Sequence, residues 1–370
     1  MTERVAAVLV LEDGTVFHGK GIGKIGRTSG ELAFNTGMTG YQEVFTDPSY
    51  LEQLLIMNTA HIGNYGVHSE EQESDHMQVA GIIIKKFSEV HSRPSSSGSL
   101  EELMLKDGKT GISDIDTRAL VRHIRTHGAM NAIISSEENL DVETLKKEVK
   151  EVPSMAGMEL SSRVSTKEIF EVKSTSGKSE YKVALLDLGV KRNIIRCLNE
   201  RGCDVTVFPM DSSLSDMLAI QPDGFMLSNG PGDPAAMEST HALVREIITT
   251  GIPVFGICMG HQVIAISQGL QTEKMHHGHR GLNHPIKNLK TTKGEITSQN
   301  HGFVVSRESA EQHPEVEITH VHLNDNTIAG IELKNKPVFS VQYHPESSAG
   351  PNDSRYLFDD FTALMKKHKN

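Results

Sequence analysis

One cysteine stands in a glycine frame, Gly256-Ile257-Cys258-Met259-Gly260, directly after an apolar run and directly before a helical one. Strand, tight turn and helix in that order make a nucleophile elbow, in which small neighbours permit a strained turn that lifts the side chain out of the sheet. The helix start adds a partial positive charge and free N–H groups, and both favour thiolate over thiol. Such a nucleophile needs a base, and His344 in Val341-Gln342-Tyr343-His344-Pro345-Glu346 closes the apolar strand PVFSVQY. Residues two apart in extended chain point the same way, so Glu346 is placed to hold one ring nitrogen while Cys258 meets the other. A third element, Asn229-Gly230-Pro231-Gly232-Asp233-Pro234, has glycines that bring backbone N–H groups close to a ligand, as an oxyanion hole requires. Cys197 and Cys203, on a helix and its following turn, read instead as buried small hydrophobes.

These groups need a scaffold, and the period of the chain from Lys182 onward supplies one. KVALLDL, DVTVFP, GFML and PVFGI read as buried strands, and NIIRCLNERG, Glu238 to Thr250 and GHQVIAISQG as the helices between them. That alternation predicts an α/β domain with a doubly wound, mostly parallel sheet over 181–370, its richest loops at the carboxyl ends of strands. The N-terminal part opens as a hairpin, AAVLVLEDG then TVFHGKGIG, and mixes further strands such as VAGIIIKKF with helices near Leu100–Met104 and Thr117–Thr126. It reads as an α+β domain over 1–160, joined by an exposed Ser/Thr/Lys-rich linker, 161–180.

A length of 370 residues agrees with two cores rather than one. A net charge of −11 and a pI near 5.9 leave no basic face for nucleic acid or an anionic membrane. No run of about 18 apolar residues appears, so no membrane span is expected, and three cysteines without a framework spacing fit a reducing cytoplasm. Gly21-Ile22-Gly23-Lys24-Ile25-Gly26 matches a dinucleotide fingerprint in letters only, because it follows a hairpin strand and opens no helix. His276, His277 and His279 lack regular metal-ligand spacing and read as a solvated or substrate-domain loop, and LKKEVKE as a wet helix face.

NGPGDP, GICMGHQ and YHPE, in that order, resemble the triad-type glutamine amidotransferases from about Lys182 to the C-terminus. LEDGTVFHG, GELAFNTGMTGYQEVFTDPSY, IGNYG, GISDIDTRALVRHIR and PSMAG resemble the carbamoyl-phosphate synthetase small subunits, so the likeness covers nearly the whole chain. The resemblance implies that Cys258 attacks glutamine, that His344 is the base and that Glu346 orients it. It implies glutamine-binding roles for Ser49, Gly230, Gly232, Met259, Gln262, Asn300, Gly302 and Phe303, with Gly230 and Met259 as backbone oxyanion donors. It also implies a large-subunit partner that takes ammonia and uses bicarbonate and ATP, with Mg or Mn, to make carbamoyl phosphate for arginine or pyrimidine synthesis. No cofactor or metal is expected in this chain, which contains no G-x-x-x-x-G-K-[ST] phosphate loop. Ala60, Met259 and Ser348 depart from the usual family residues without removing a catalytic group. A different hydrolase of the same architecture, or a scaffold that has lost its chemistry, are the alternatives; the N-terminal blocks disfavour the first and the intact triad the second.

Overall fold

A computed structural model describes residues 4–139 and 141–369. The chain forms two compact units, Met1–Met155 with His276–Gly281, and Ala156–Met275 with Leu282–Asn370.

In the first unit, strands β1 (Ala6–Leu11), β2 (Val16–Gly23), β3 (Arg27–Asn35), β4 (Gln53–Met57), β5 (Gly81–Ile84), β6 (Thr110–Ser113) and β7 (Asn131–Ser135) close into a barrel ordered β1-β2-β6-β5-β4-β3-β7. The expected hairpin is β1 and β2, antiparallel with Ala6 opposite Lys20. Strands β3 to β6 pair in parallel, β3 with β4, β4 with β5 and β5 with β6. The apolar runs QLLIM and GIII lack alternation because both of their faces are buried. Leu54, Ile56 and Ile83 enter one core with Leu9 and Leu120, whereas Leu55, Met57, Ile82 and Ile84 enter another with Phe45 and Leu100. The six residues Gly21–Gly26 lie at the end of β2 and in the turn to β3, strand to strand. The stretch LKKEVKE is wet on one side only, since Leu145 and Val149 pack against Val8 and Val10.

The second unit is built on a ten-stranded sheet ordered β14-β13-β15-β16-β17-β12-β11-β9-β10-β8. Its strands are β8 (Phe170–Val172), β9 (Tyr181–Asp187), β10 (Cys203–Pro209), β11 (Gly224–Leu227), β12 (Val254–Ile257), β13 (Thr272–Asn288), β14 (Gly294–Val305), β15 (Val316–His322), β16 (Ile328–Leu333) and β17 (Val338–Val341). The parallel centre is β10-β9-β11-β12-β17, as the sequence period predicts. Successive residues of β9 serve opposite faces. Ala184 and Leu186 pack with helices Glu238–Thr249 and Met259–Ser267 through Val244, Ile247 and Val263. Val183 and Leu185 pack with helices Arg192–Asn199 and Tyr356–His368 through Ile194, Leu198, Phe358 and Phe361. Helices on both faces make the doubly wound layer order.

Two expectations of loop structure do not hold. The 161–180 stretch is part of the second unit: Ser161 is buried in the short helix Ser161–Val164, and β8 pairs antiparallel with β10. An exposed edge strand has linker-like side chains, because only its backbone is committed to the sheet. The His276–Gly281 segment is extended chain within β13: His276 is exposed and His277 half-buried, as a solvated segment would be, but both are held by main-chain and aromatic contacts. The Ala129 N–H donates to the His276 carbonyl at 2.7 Å, and the His277 ring stacks on Phe34 with centroids 5.8 Å apart.

Candidate active site

Cys258 leaves β12 with φ 53° and ψ −100° and caps the helix Met259–Ser267. A non-glycine residue held there stores on the order of 1–3 kcal/mol, which the surroundings must over-determine. Its N–H donates to the Val341 carbonyl at 2.9 Å, and its own carbonyl accepts the Gln262 N–H at 3.1 Å. Gly260 explains the glycine frame: its N–H donates to Ser228 O at 2.9 Å, and a Cβ there would collide with the Leu227 carbonyl. Gly230 likewise lies so close to the Leu188 carbonyl that no side chain fits. The loop carrying Gly230 and Gly232 is pinned by Gly157, whose N–H donates to Asp233 Oδ2 at 2.8 Å, and by a backbone bridge from Glu159 to Gly232.

His344 enters from beyond β17, its N–H donating to Ser298 O at 2.9 Å. Its Nδ1 lies 2.6 Å from Glu346 Oε1, and both side chains are buried. An ionised carboxylate only accepts, so Nδ1 carries a proton toward Glu346 and Nε2 is the nitrogen left to exchange one with the thiol. Nε2 has no hydrogen-bond partner among the described residues. Burial alone pulls the imidazole toward neutrality, yet the Glu346 carboxylate and then Cys258 outweigh it and hold the ring above its ordinary pKa. Burial pushes the Glu346 carboxyl up, and Lys191 and then His344 reverse this and hold it well below the carboxylate range.

Lys191 has no counterpart in the sequence reading. It is 3 % exposed, and its Nζ donates to Glu346 Oε1 at 2.9 Å and to Ser347 O at 2.5 Å. Its N–H donates to Asn229 Oδ1 at 3.0 Å, so one residue ties the glycine loop to the acid that orients His344.

The two shifts predict a pH window for stability. Glu346, with its carboxyl depressed on folding, contributes stability that is present above the ordinary value of 4.5 and lost as pH falls through the folded value. His344, raised on folding, contributes stability that is present below 6.5 and lost as pH rises through its folded value. Both contributions are therefore complete between 4.5 and 6.5. Urea midpoints measured across pH are expected to fall less steeply on the acid side in Glu346→Gln than in wild type. An identical acid limb would mean that this pair does not set it.

The sulfur of Cys258 meets two further groups. The thiol donates to Asn300 O at 3.6 Å, and Gln342 Nε2 donates to Sγ at 3.8 Å. Gln262 Nε2 donates to Phe303 O at 2.7 Å and to Gln342 Oε1 at 3.0 Å. Of the residues singled out in the sequence, Cys258, Gln262, Asn300 and Phe303 are thus brought together, with His344 and Glu346 paired beside them and Gly302 between the last two in β14. Met259 is the first helical residue, so its N–H lies outside the helix ladder. Ser49 lies in the first unit, buried in the turn Pro48–Tyr50, its N–H donating to Asp47 Oδ1 at 2.9 Å. Cys197 and Cys203 are buried in the hydrophobic core, and burial pushes each thiol up to about 12. Lys191 was discoverable from its place just past β9, and Gln342 from its place just past β17, where functional groups collect.

The chain matches two family descriptions, "Carbamoyl-phosphate synthase small chain, CPSase domain" over residues 9–134 and "Glutamine amidotransferase class-I" over 184–364. It is 46 % identical to the carbamoyl phosphate synthase small chain of Synechococcus sp., over 99 % of this chain and 95 % of that one. Identity to the protein so named from Chlorobaculum tepidum is 45 % over all of both chains, and to that from Streptomyces coelicolor 44 % over 98 % and 97 %. With identity of this order running through both units, the chain belongs to the carbamoyl phosphate synthase small chain family and carries its class-I glutamine amidotransferase component.

Proposed function

We propose that this chain hydrolyses glutamine through Cys258, His344 and Glu346 and delivers the ammonia to a large synthetase subunit. In the first step His344 Nε2 takes the thiol proton, and the sulfur attacks the side-chain amide carbon. The tetrahedral oxyanion lies against the N–H groups of Gly230 and Met259, where one such donor contributes roughly 10²- to 10³-fold in turnover. His344 then returns the proton to the departing nitrogen, so ammonia leaves and a glutamyl thioester remains. Water attacks that thioester with His344 again accepting a proton, and glutamate departs with Cys258 restored. Gln262, Asn300, Gly302 and Phe303 supply the surroundings of the glutamine. Bicarbonate and ATP, with its divalent metal, are used on the large subunit, which makes carbamoyl phosphate for arginine or pyrimidine synthesis.

The observation that carries this reading is the strained Cys258 at a helix start with the buried His344–Glu346 pair beside it. Glutamate release by the purified chain, alone and with the co-expressed large subunit, tests it. Release is expected from wild type, faster when the partner, bicarbonate and ATP are present. A complex that forms yet leaves glutamine untouched would make the chain a scaffold.

A further inference from the structure

The orientation of the amides around Sγ follows from one acceptor that has no alternative role. The Phe303 carbonyl only accepts, so the Gln262 atom 2.7 Å from it is the NH₂ group. That nitrogen is also 3.0 Å from the end of the Gln342 side chain, which must therefore present its oxygen. The Gln342 NH₂ group is then directed the other way, to Sγ at 3.8 Å. Turned over, it would set NH₂ against NH₂ where both side chains are almost fully buried, 1 % and 2 % exposed. The main chain holds the residue in register as well, since the Gln342 N–H donates to Ala329 O at 2.9 Å.

The two groups bonded to Cys258 Sγ favour opposite protonation states. The Asn300 carbonyl at 3.6 Å stabilises S–H, and an N–H donor stabilises S⁻. Once His344 has taken the proton, the sulfur no longer donates to that carbonyl, and the Gln342 N–H bond strengthens because its acceptor is charged. We propose that Gln342 is a further catalytic residue, the hydrogen-bond donor that holds Cys258 as thiolate, with its direction imposed by Gln262 and Phe303. This deepens the reading of Cys258 as nucleophile and rests on it. The step is a proton transfer from sulfur to His344 with no other change in bonding, and Gln342 neither gains nor loses a proton.

Alkylation by iodoacetamide, followed as a function of pH on the Cys258 peptide of the full chain, reads the thiolate without any glutamine present. Gln342→Met keeps the length and lacks the donor; Gln342→Glu keeps an oxygen toward Gln262 and replaces the donor with a second oxygen. Each is expected to alkylate about tenfold more slowly at pH 7 and to return to within about twofold of wild type at the high-pH plateau. Glutaminase kcat should fall by a comparable factor. Gln262→Leu leaves Gln342 in place but releases its orientation, and a fall of about threefold at pH 7 is expected. A wild-type pH profile in the Gln262 variant and in whichever Gln342 variant keeps its far-ultraviolet spectrum and urea midpoint overturns the proposal. The same result in a glutaminase-active protein leaves the amidotransferase reading standing, whereas wild type without glutaminase activity defeats that reading instead.

Discussion

Cys258→Ala, assembled with the large subunit, is expected to lose glutamine-dependent carbamoyl phosphate synthesis by ~10⁴-fold or more while keeping synthesis from added ammonia near the wild-type rate. The first half follows from the chemistry: without sulfur there is no thioester, and the oxyanion donors and the histidine have no nucleophile to assist. The second half follows because ammonia supplied from solution bypasses every residue of this site. Folding is not at risk to the same degree. Alanine meets the same positive φ that cysteine already tolerates, and it removes a single buried sulfur, a change on the order of 1 kcal/mol. The pairing of outcomes is what discriminates. Loss of both activities in a complex that still assembles would contradict the transfer of ammonia from this chain to its partner. Retention of the glutamine-dependent rate would remove Cys258 from the chemistry altogether.

How much of this was legible beforehand depended on whether a signal was local. The nucleophile elbow is local: an apolar strand, two glycines and a helix start are adjacent in sequence, and the backbone places Cys258 where that order implies. The His344–Glu346 pair is local too, two residues apart, although a turn closed by the Ser347 N–H donating to His344 O at 3.1 Å, not the extended chain expected, brings the side chains together. The α/β layers of the second unit follow from strand and helix periods that each span one element. Closure of the first unit into a barrel does not, since β1 pairs with β7 across more than a hundred residues and nothing in AAVLVL or NAIIS names the other. Residues 161–180 misled for a further reason. Edge strand β8 exposes its side chains like a linker, and the difference lies in main-chain hydrogen bonds that composition does not record. Lys191 is the clearest omission, because a lysine next to an arginine after a strand reads as surface charge, and only the fold brings Glu346 and Asn229 to it from 155 and 38 residues away.

Lys191→Met is expected to cost about 3–5 kcal/mol of folding stability and most of the glutaminase activity, for one shared reason. The Lys191 Nζ is the cation bonded to Glu346 Oε1, in a site where the carboxylate and the ammonium are both almost entirely out of water. Without it, burial becomes the dominant influence on Glu346 and drives the carboxyl toward its protonated form. A neutral Glu346 no longer holds His344 Nδ1–H by charge, so the ring loses both its orientation and the support that raises its pKa. A purely structural lysine predicts a different pattern, and the double variant Lys191→Met/Glu346→Gln separates the two. Removing the carboxylate along with its cation eliminates the buried acid that must otherwise either stay charged without a cation or be protonated at a cost, so the urea midpoint should recover much of what the single variant lost. Activity should not recover, because the histidine still lacks its anionic partner. If stability and turnover return together, Lys191 acts only through folding; if neither returns, the pair is not the unit that the 2.9 Å contact indicates.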